Sequence, residues 1–178
     1  MDPFTERKYL VFDTQLQELL SVCRRCTGEN EIVKKEKGTC VEVDCKCKNI
    51  DCKHEYFWRS QPHSKQLALG NLVLAAAAFF TACSPTRLIN VFNHCNIAIF
   101  TKRTYNHIQK AYLVPAVRNV WQRKQERLMA ARRHKKVKLA GDGRCDSPGH
   151  CAKFGSYTLM DADTAEVLHT ELVQVHIN

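Results

Sequence analysis

The chain carries ten cysteines, and six of them fall within residues 21–58 together with one histidine. A cysteine thiolate is a metal ligand, and a C-x-x-C spacing lets one tight turn aim two sulfurs at a single tetrahedral ion. Cys23-Arg-Arg-Cys26 has that spacing. A second set of candidates follows: Cys40, Cys45, Cys47, Cys52 and His54. Five residues therefore compete for the two places left in a tetrahedral site. Cys47 and Cys52 are the favoured pair, with His54 as the alternative to either. Cys40 lies in an apparent strand, where it can simply pack. Four protein ligands leave no position open for water or substrate, so the ion, most simply Zn²⁺, would be structural. A segment this short cannot bury enough apolar surface to be stable alone, and a metal ion supplies what the core lacks. Disulfides are the competing use of clustered cysteines. The opening residues "MDPFTERKYL" are charged and contain no apolar signal-peptide core, so reduced thiols are expected.

The elements that must hold these ligands can be read around them. Residues 1–20 show a helical spacing of Leu16, Leu19 and Leu20. Residues 21–62 contain the alternating run "TCVEVDCKC", which suits a small ribbon of strands. "WRSQPHSK" (Trp58–Lys65) is polar, contains Pro62 and reads as a linker. Residues 63–136 are helical in pattern. The first helix is expected over Gln66–Thr81. A second begins after Ser84, a good N-cap, with Pro85 at the first helical position. "TKRTYNHIQKAYL" makes a third, and Pro115, which breaks a helix interior, is expected to begin a fourth. The apolar run Leu67–Cys83 is shorter than the ~20 residues a spanning helix needs and includes Gly70 and Asn71, so a core helix and no membrane span is expected. Residues 137–178 have strand character.

Charge divides the chain in the same places. Residues 102–138 hold twelve basic side chains and one acidic one, whereas residues 139–178 hold two basic and six acidic. A basic middle points to a polyanion partner, and nucleic acid is the one expected. In the third helix Tyr105, Ile108, Tyr112 and Leu113 recur on an inward face, which leaves Lys102, Arg103, Thr104, His107 and Lys110 outward. A capped helix, a short turn and a second helix with a basic start is helix-turn-helix grammar, in which the second helix enters the major groove. Lysine and arginine would hold phosphates, and Thr104, Asn106 or His107 would meet bases. "ARRHKKVK" (Ala131–Lys138) suits nuclear import or phosphate tracking equally well.

At "VKLAGDGRCDSPG" an apolar strand is expected to end at Asp142 and give way to a glycine-rich turn containing Asp146. "KFGSYTLMD" and "EVLHTELVQV" then read as two further antiparallel strands. A carboxylate on the first of three such strands is how an RNase H-like nuclease begins. Those enzymes hold two Mg²⁺ ions on carboxylates from distant parts of the chain. Taken alone, Asp142 could equally begin a turn.

The order and wording of "CRRC", "WRSQP", "GNLVLAAAAFFTACSPTRLINVF", "TYNHIQKAYLVPAVRNVW" and "GDGRCDSPGHCAKFGSYTLMD" resemble the front part of a family of eukaryotic transposon-encoded proteins. These are similar to cut-and-paste transposases with an RNase H-like DDE/D core. The resemblance implies a zinc-bearing N-terminal region, a helical DNA-binding region and a catalytic core in which Asp142 matches the first acid. The chain departs from the pattern in two ways. Its second cysteine group is richer than the family's, and it stops 36 residues after Asp142. Asp161, Asp163, Glu166 and Glu171 sit on the next hairpin and cannot stand in for the later acids.

The expected fold class is therefore α+β: a zinc ribbon, a helix-turn-helix-like middle and the first three strands of an incomplete RNase H-like core. The expected protein is nuclear and transposase-derived. It grips DNA rather than cutting it, needs Mg²⁺ only if the catalytic core is complete, and self-associates through the edge of its last strand. The alternatives are the front of an active transposase, or a zinc-stabilised protein-interaction module.

Overall fold

The computed structural model describes residues 2–147 and 152–174. It is a mixed α and β chain, as expected, and divides into two compact units, Met1–Val114 and Pro115–Asn178. The expected helical region 63–136 is thus shared between them.

In the first unit, helix α1 (Asp13–Leu20) precedes strands β1 (Asn30–Lys37), β2 (Cys40–Cys47) and β3 (Glu55–Arg59), which form an antiparallel sheet in that order. The period of two is clear along the second half of β2. Val43, Cys45 and Cys47 are buried while Asp44 and Lys46 are exposed. Leu16 and Leu20 of α1 pack on that inward face with Ile32, Val41, Val43, Cys45, Tyr56 and Trp58. Leu20 and Val43 are completely enclosed. Each such side chain favours the fold by about 1.5–3 kcal/mol relative to exposure.

The polar stretch expected to be a linker is structured. Trp58 and Arg59 complete β3, and His63–Ser64 (β4) pairs with Leu67–Ala68 (β5) across a two-residue turn in which Lys65 adopts a positive φ of 55°. Polarity here reflects hydrogen bonding rather than solvation. Gln61 Nε2 donates to the Thr39 carbonyl at 2.7 Å, and its Oε1 accepts from the Gly70 backbone N–H at 2.8 Å. Because Leu67 and Ala68 are in a strand, helix α2 spans Leu69–Phe80 and starts three residues later than the periodicity predicts.

Helix α3 (Pro85–His94) begins as expected, with Ser84 Oγ accepting from the Arg87 N–H. Helix α4 (Lys102–Ile108) is capped by Thr101, whose Oγ1 accepts from the Thr104 N–H at 3.3 Å. Its continuation differs from the expectation. Gln109–Leu113 forms a π-helical turn, and α5 (Val114–Arg132) follows without a loop. The wider turn shifts the backbone pairing just where Pro115 lacks an N–H, so the proline is absorbed instead of starting a separate helix. Ala75, Ala78, Phe100, Tyr105, Ile108 and Leu113 form the core of these helices, flanked by Leu72, Phe79 and Leu88.

In the second unit, β6 (Leu139–Cys145), β7 (Phe154–Asp161) and β8 (Glu166–Gln174) form the expected antiparallel meander. Arg132 at the end of α5 clamps the β7–β8 turn. Its Nε donates to Asp161 Oδ2 at 2.8 Å, and its Nη2 donates to Glu166 Oε2 at 2.6 Å and to Thr164 Oγ1 at 2.8 Å. Arg132 was expected to belong to the free basic run; this clamp occupies it.

The strand β6 does not stop at Asp142. Gly141 and Gly143 lie within it, opposite Leu159 and Tyr157, and the Tyr157 ring occupies the space beside them. A side chain at Gly141 would collide with the Tyr157 hydroxyl. The glycines therefore serve close packing of a strand rather than a turn. The turn comes later, where Asp146 Oδ1 accepts from the backbone N–H groups of Lys153 at 3.1 Å and Phe154 at 3.3 Å. No helix among the described residues is long and apolar enough to cross a membrane.

Candidate metal centre

Two turns of the first unit face each other at one end of the ribbon. The first is the loop between α1 and β1. Cys23 N–H donates to the Gly28 carbonyl at 2.7 Å and Thr27 N–H to the Cys23 carbonyl at 3.0 Å, with Thr27 held at φ 58°. This closes Cys23–Gly28 into a compact knuckle. The second joins β2 to β3. The N–H groups of Cys52 and Lys53 donate to the Asn49 carbonyl, and Cys47 N–H donates to the His54 carbonyl at 2.9 Å. Lys53 sits at φ 47°.

These turns bring the sulfurs of Cys23, Cys26, Cys47 and Cys52 within 4.8 Å of one another. Cys26 and Cys47 are 3.5 Å apart, and Cys23 and Cys52 are 3.9 Å apart. A tetrahedral tetrathiolate with metal–sulfur bonds of about 2.3 Å needs sulfurs about 3.8 Å apart. The group can therefore hold a metal ion and is compatible with zinc. It is the one group of three or more metal-ligating side chains among the described residues.

Its electrostatics are uneven. The N–H groups of Cys26 and Arg25 point toward the Cys23 sulfur, the latter at 3.5 Å, and lower its pKa to about 6. Burial pushes Cys47 up to about 12 and raises Cys52 as well. At neutral pH Cys47 and Cys52 therefore keep their protons without a cation, and a divalent ion would displace them and offset part of the charge of the gathered thiolates.

His54, the alternative ligand, lies outside the group. Its ring stacks on Tyr56 with centroids 5.7 Å apart, and the Arg24 guanidinium lies 4.4 Å from the Tyr56 ring centroid. Cys45 is buried in the sheet core. Cys40 is buried on the other face of β2, near Ser60 Oγ, and burial raises its pKa. Both are packing residues. Cys83, Cys95 and Cys145 are exposed free thiols, and Cys151 lies outside the described residues.

The other candidates separate. Lys102, Arg103, His107 and Lys110 are exposed, opposite the buried Tyr105 and Ile108. No carboxylate among the described residues comes within ion-pair distance of the four. Thr104 is half-buried, its hydroxyl 3.1 Å from that of Thr101, so it belongs to the helix cap. Asp142 is exposed at the middle of β6, and its cross-strand partner is Thr158. Asp146 is engaged by backbone, and Asp161 by Arg132, which holds its carboxyl below the usual range. These residues do not make a site for two Mg²⁺ ions.

Several organising residues gave no sequence signal that motif reading uses. Asn71 is one. A polar residue inside an apolar helix is the clue, and here it is buried against the β1–β2 turn. Glu42 is another, a buried carboxylate held 2.7 Å from Lys37 Nζ and 3.1 Å from Arg59 Nε. Comparison with known proteins adds nothing to this geometry: no protein-family model, no curated protein and no solved structure matches the chain.

Proposed function

We propose that this is a nuclear, transposase-derived protein that binds double-stranded DNA, with its ribbon stabilised by a structural Zn²⁺ on Cys23, Cys26, Cys47 and Cys52. The observation that carries DNA binding is the unneutralised face of α4. Lys102, Arg103, His107 and Lys110 stand exposed without an acidic partner among the described residues, on a helix anchored by the buried Tyr105 and Ile108. Surface cations with no carboxylate beside them are free to replace the counterions of a phosphate backbone. In this reading α3 and α4 act as a helix-turn-helix pair, with α4 as the helix that meets DNA.

The three-stranded meander is read as the opening of an RNase H-like core, and Asp142 as its first acid. A single carboxylate cannot hold two Mg²⁺ ions, so DNA binding is the function proposed for the residues present.

The test is fluorescence anisotropy with a labelled duplex at increasing salt, using zinc-loaded protein. Affinity should fall steeply, with log Kd rising linearly with log salt. An affinity that does not change between low and moderate salt overturns the reading. Zinc-loaded protein that ignores duplex DNA at every salt concentration would favour a protein-interaction module instead.

A further inference from the structure

Two segments of this chain are each half of a β-pairing. The first is Arg7–Val11. It forms no helix or strand of its own, and none of its backbone N–H or C=O groups bonds to another backbone group among the described residues. It leads into Phe12, the residue before α1. Tyr9, Leu10, Val11 and Phe12 are 75, 75, 64 and 80% exposed, a run of large apolar side chains left mostly uncovered by the described residues. Aromatic and β-branched residues favour a strand, and no neighbouring strand is present among the described residues.

The second is the edge of β8. The sheet order is β6-β7-β8, so one side of β8 has no partner strand among the described residues. The side chain of Gln125 donates to the Leu168 carbonyl at 3.0 Å and covers the start of the strand. Beyond His169 no side chain among the described residues hydrogen-bonds to the strand's backbone, and Leu172 and Val173 are 76 and 52% exposed. An uncovered edge of this kind, with Glu171 as its one charge between Thr170 and Gln174, is a template for strand addition.

We infer that Arg7–Val11 of one chain adds as a parallel strand to the Thr170–Gln174 edge of β8 in a second copy, so that two copies exchange strands in a closed two-fold dimer. The charge order selects the direction. Both segments run from charged to apolar, Arg7-Lys8 before Leu10-Val11 and Glu171 before Leu172-Val173. Parallel pairing of Arg7–Val11 with Thr170–Gln174 sets Tyr9 and Leu10 beside Leu172 and Val173, and Lys8 beside Glu171. Antiparallel pairing would put Leu10 against Glu171 and Lys8 against Val173. Exchange also closes the assembly. Each copy offers one strand and one edge, so two identical junctions satisfy both, and the second forms intramolecularly at high effective concentration.

Sedimentation equilibrium on the full zinc-loaded chain should show a monomer–dimer equilibrium. Leu10→Pro removes the donor strand and Leu172→Lys charges the acceptor edge, and each variant alone should be monomeric. Both positions are exposed, so urea unfolding midpoints should match the parent and show that the fold survives. Mixing the two variants restores one junction, the intact strand of Leu172→Lys on the intact edge of Leu10→Pro, and should yield a heterodimer. A parent chain that stays monomeric at all concentrations overturns the inference. So does a Leu10→Pro chain that still dimerises alone, or a mixture that fails to associate.

Discussion

Asn71 Oδ1 accepts both the backbone N–H and the hydroxyl of Thr39, each at 2.8 Å, across thirty-two positions of chain. The amide's other end donates to the Lys37 carbonyl at 2.9 Å. One buried side chain on the first turn of α2 thus replaces three hydrogen bonds that the β1–β2 turn would otherwise make with water. Gly38, at φ 67°, has no side chain because a Cβ there would stand 2.5 Å from Asn71 Oδ1. The ribbon that carries the cysteines is locked to the helices by this contact and by Gln61.

Replacing Asn71 with leucine keeps the volume and removes every one of those bonds, leaving polar groups of the turn without partners. A loss of about 1–3 kcal/mol in unfolding free energy is expected, measured by urea denaturation. Gly38→Ala should destabilise as well, through the strained positive φ and the collision with the amide.

Metal content should follow the four gathered sulfurs alone. Cys23→Ser, Cys26→Ser, Cys47→Ser and Cys52→Ser each reduce zinc retained through gel filtration, read by elemental analysis. Cys40→Ser, Cys45→Ser and His54→Ala retain it. Chelation of the wild-type ion should lower the thermal midpoint of the first unit, because binding free energy is folding free energy here. Full zinc retention by Cys52→Ser together with loss in His54→Ala would reverse the ligand assignment.

Acid should weaken the second unit through Asp161. Its hydrogen bond from Arg132 depresses the folded pKa below the unfolded value of about 3.9. A depressed carboxyl stabilises the fold above the unfolded pKa and ceases to do so as pH falls through the folded one. Unfolding free energy should therefore drop from about pH 5 downward, and Asp161→Asn should lower stability at neutral pH while flattening that acid limb. A mutant whose acid limb is as steep as the wild type's removes Asp161 as the cause.

Charge removal on α4 should be legible in the salt slope. Lys102→Gln, Arg103→Gln and Lys110→Gln each weaken duplex binding across unrelated sequences and reduce the magnitude of the slope by about one. Thr104→Val should act on helix stability more than on binding, since its hydroxyl and N–H face Thr101. Arg132→Gln should cost stability without changing the slope, because its guanidinium is committed to Asp161 and Glu166.

Reading the chain by itself determined what depends on near neighbours. The C-x-x-C turn, the alternation through β2, the Ser84 cap, the inward Tyr105 and Ile108 and the three strands after residue 137 all follow from spacing along a few residues, where backbone geometry dictates which side chains share a face. Tertiary structure decided what depends on residues far apart in the chain. Cys47 and Cys52 rather than His54 complete the sulfur group because the β2–β3 turn aims them at the Cys23 knuckle, whereas the imidazole follows the strand toward Tyr56. The apparent linker became strand because Gln61 finds Thr39 and Gly70. Asp142 sits mid-strand because Tyr157 fills the space its flanking glycines leave. A polar side chain reads the same whether water or a distant carbonyl receives its hydrogen bond, and only the folded chain chooses between them.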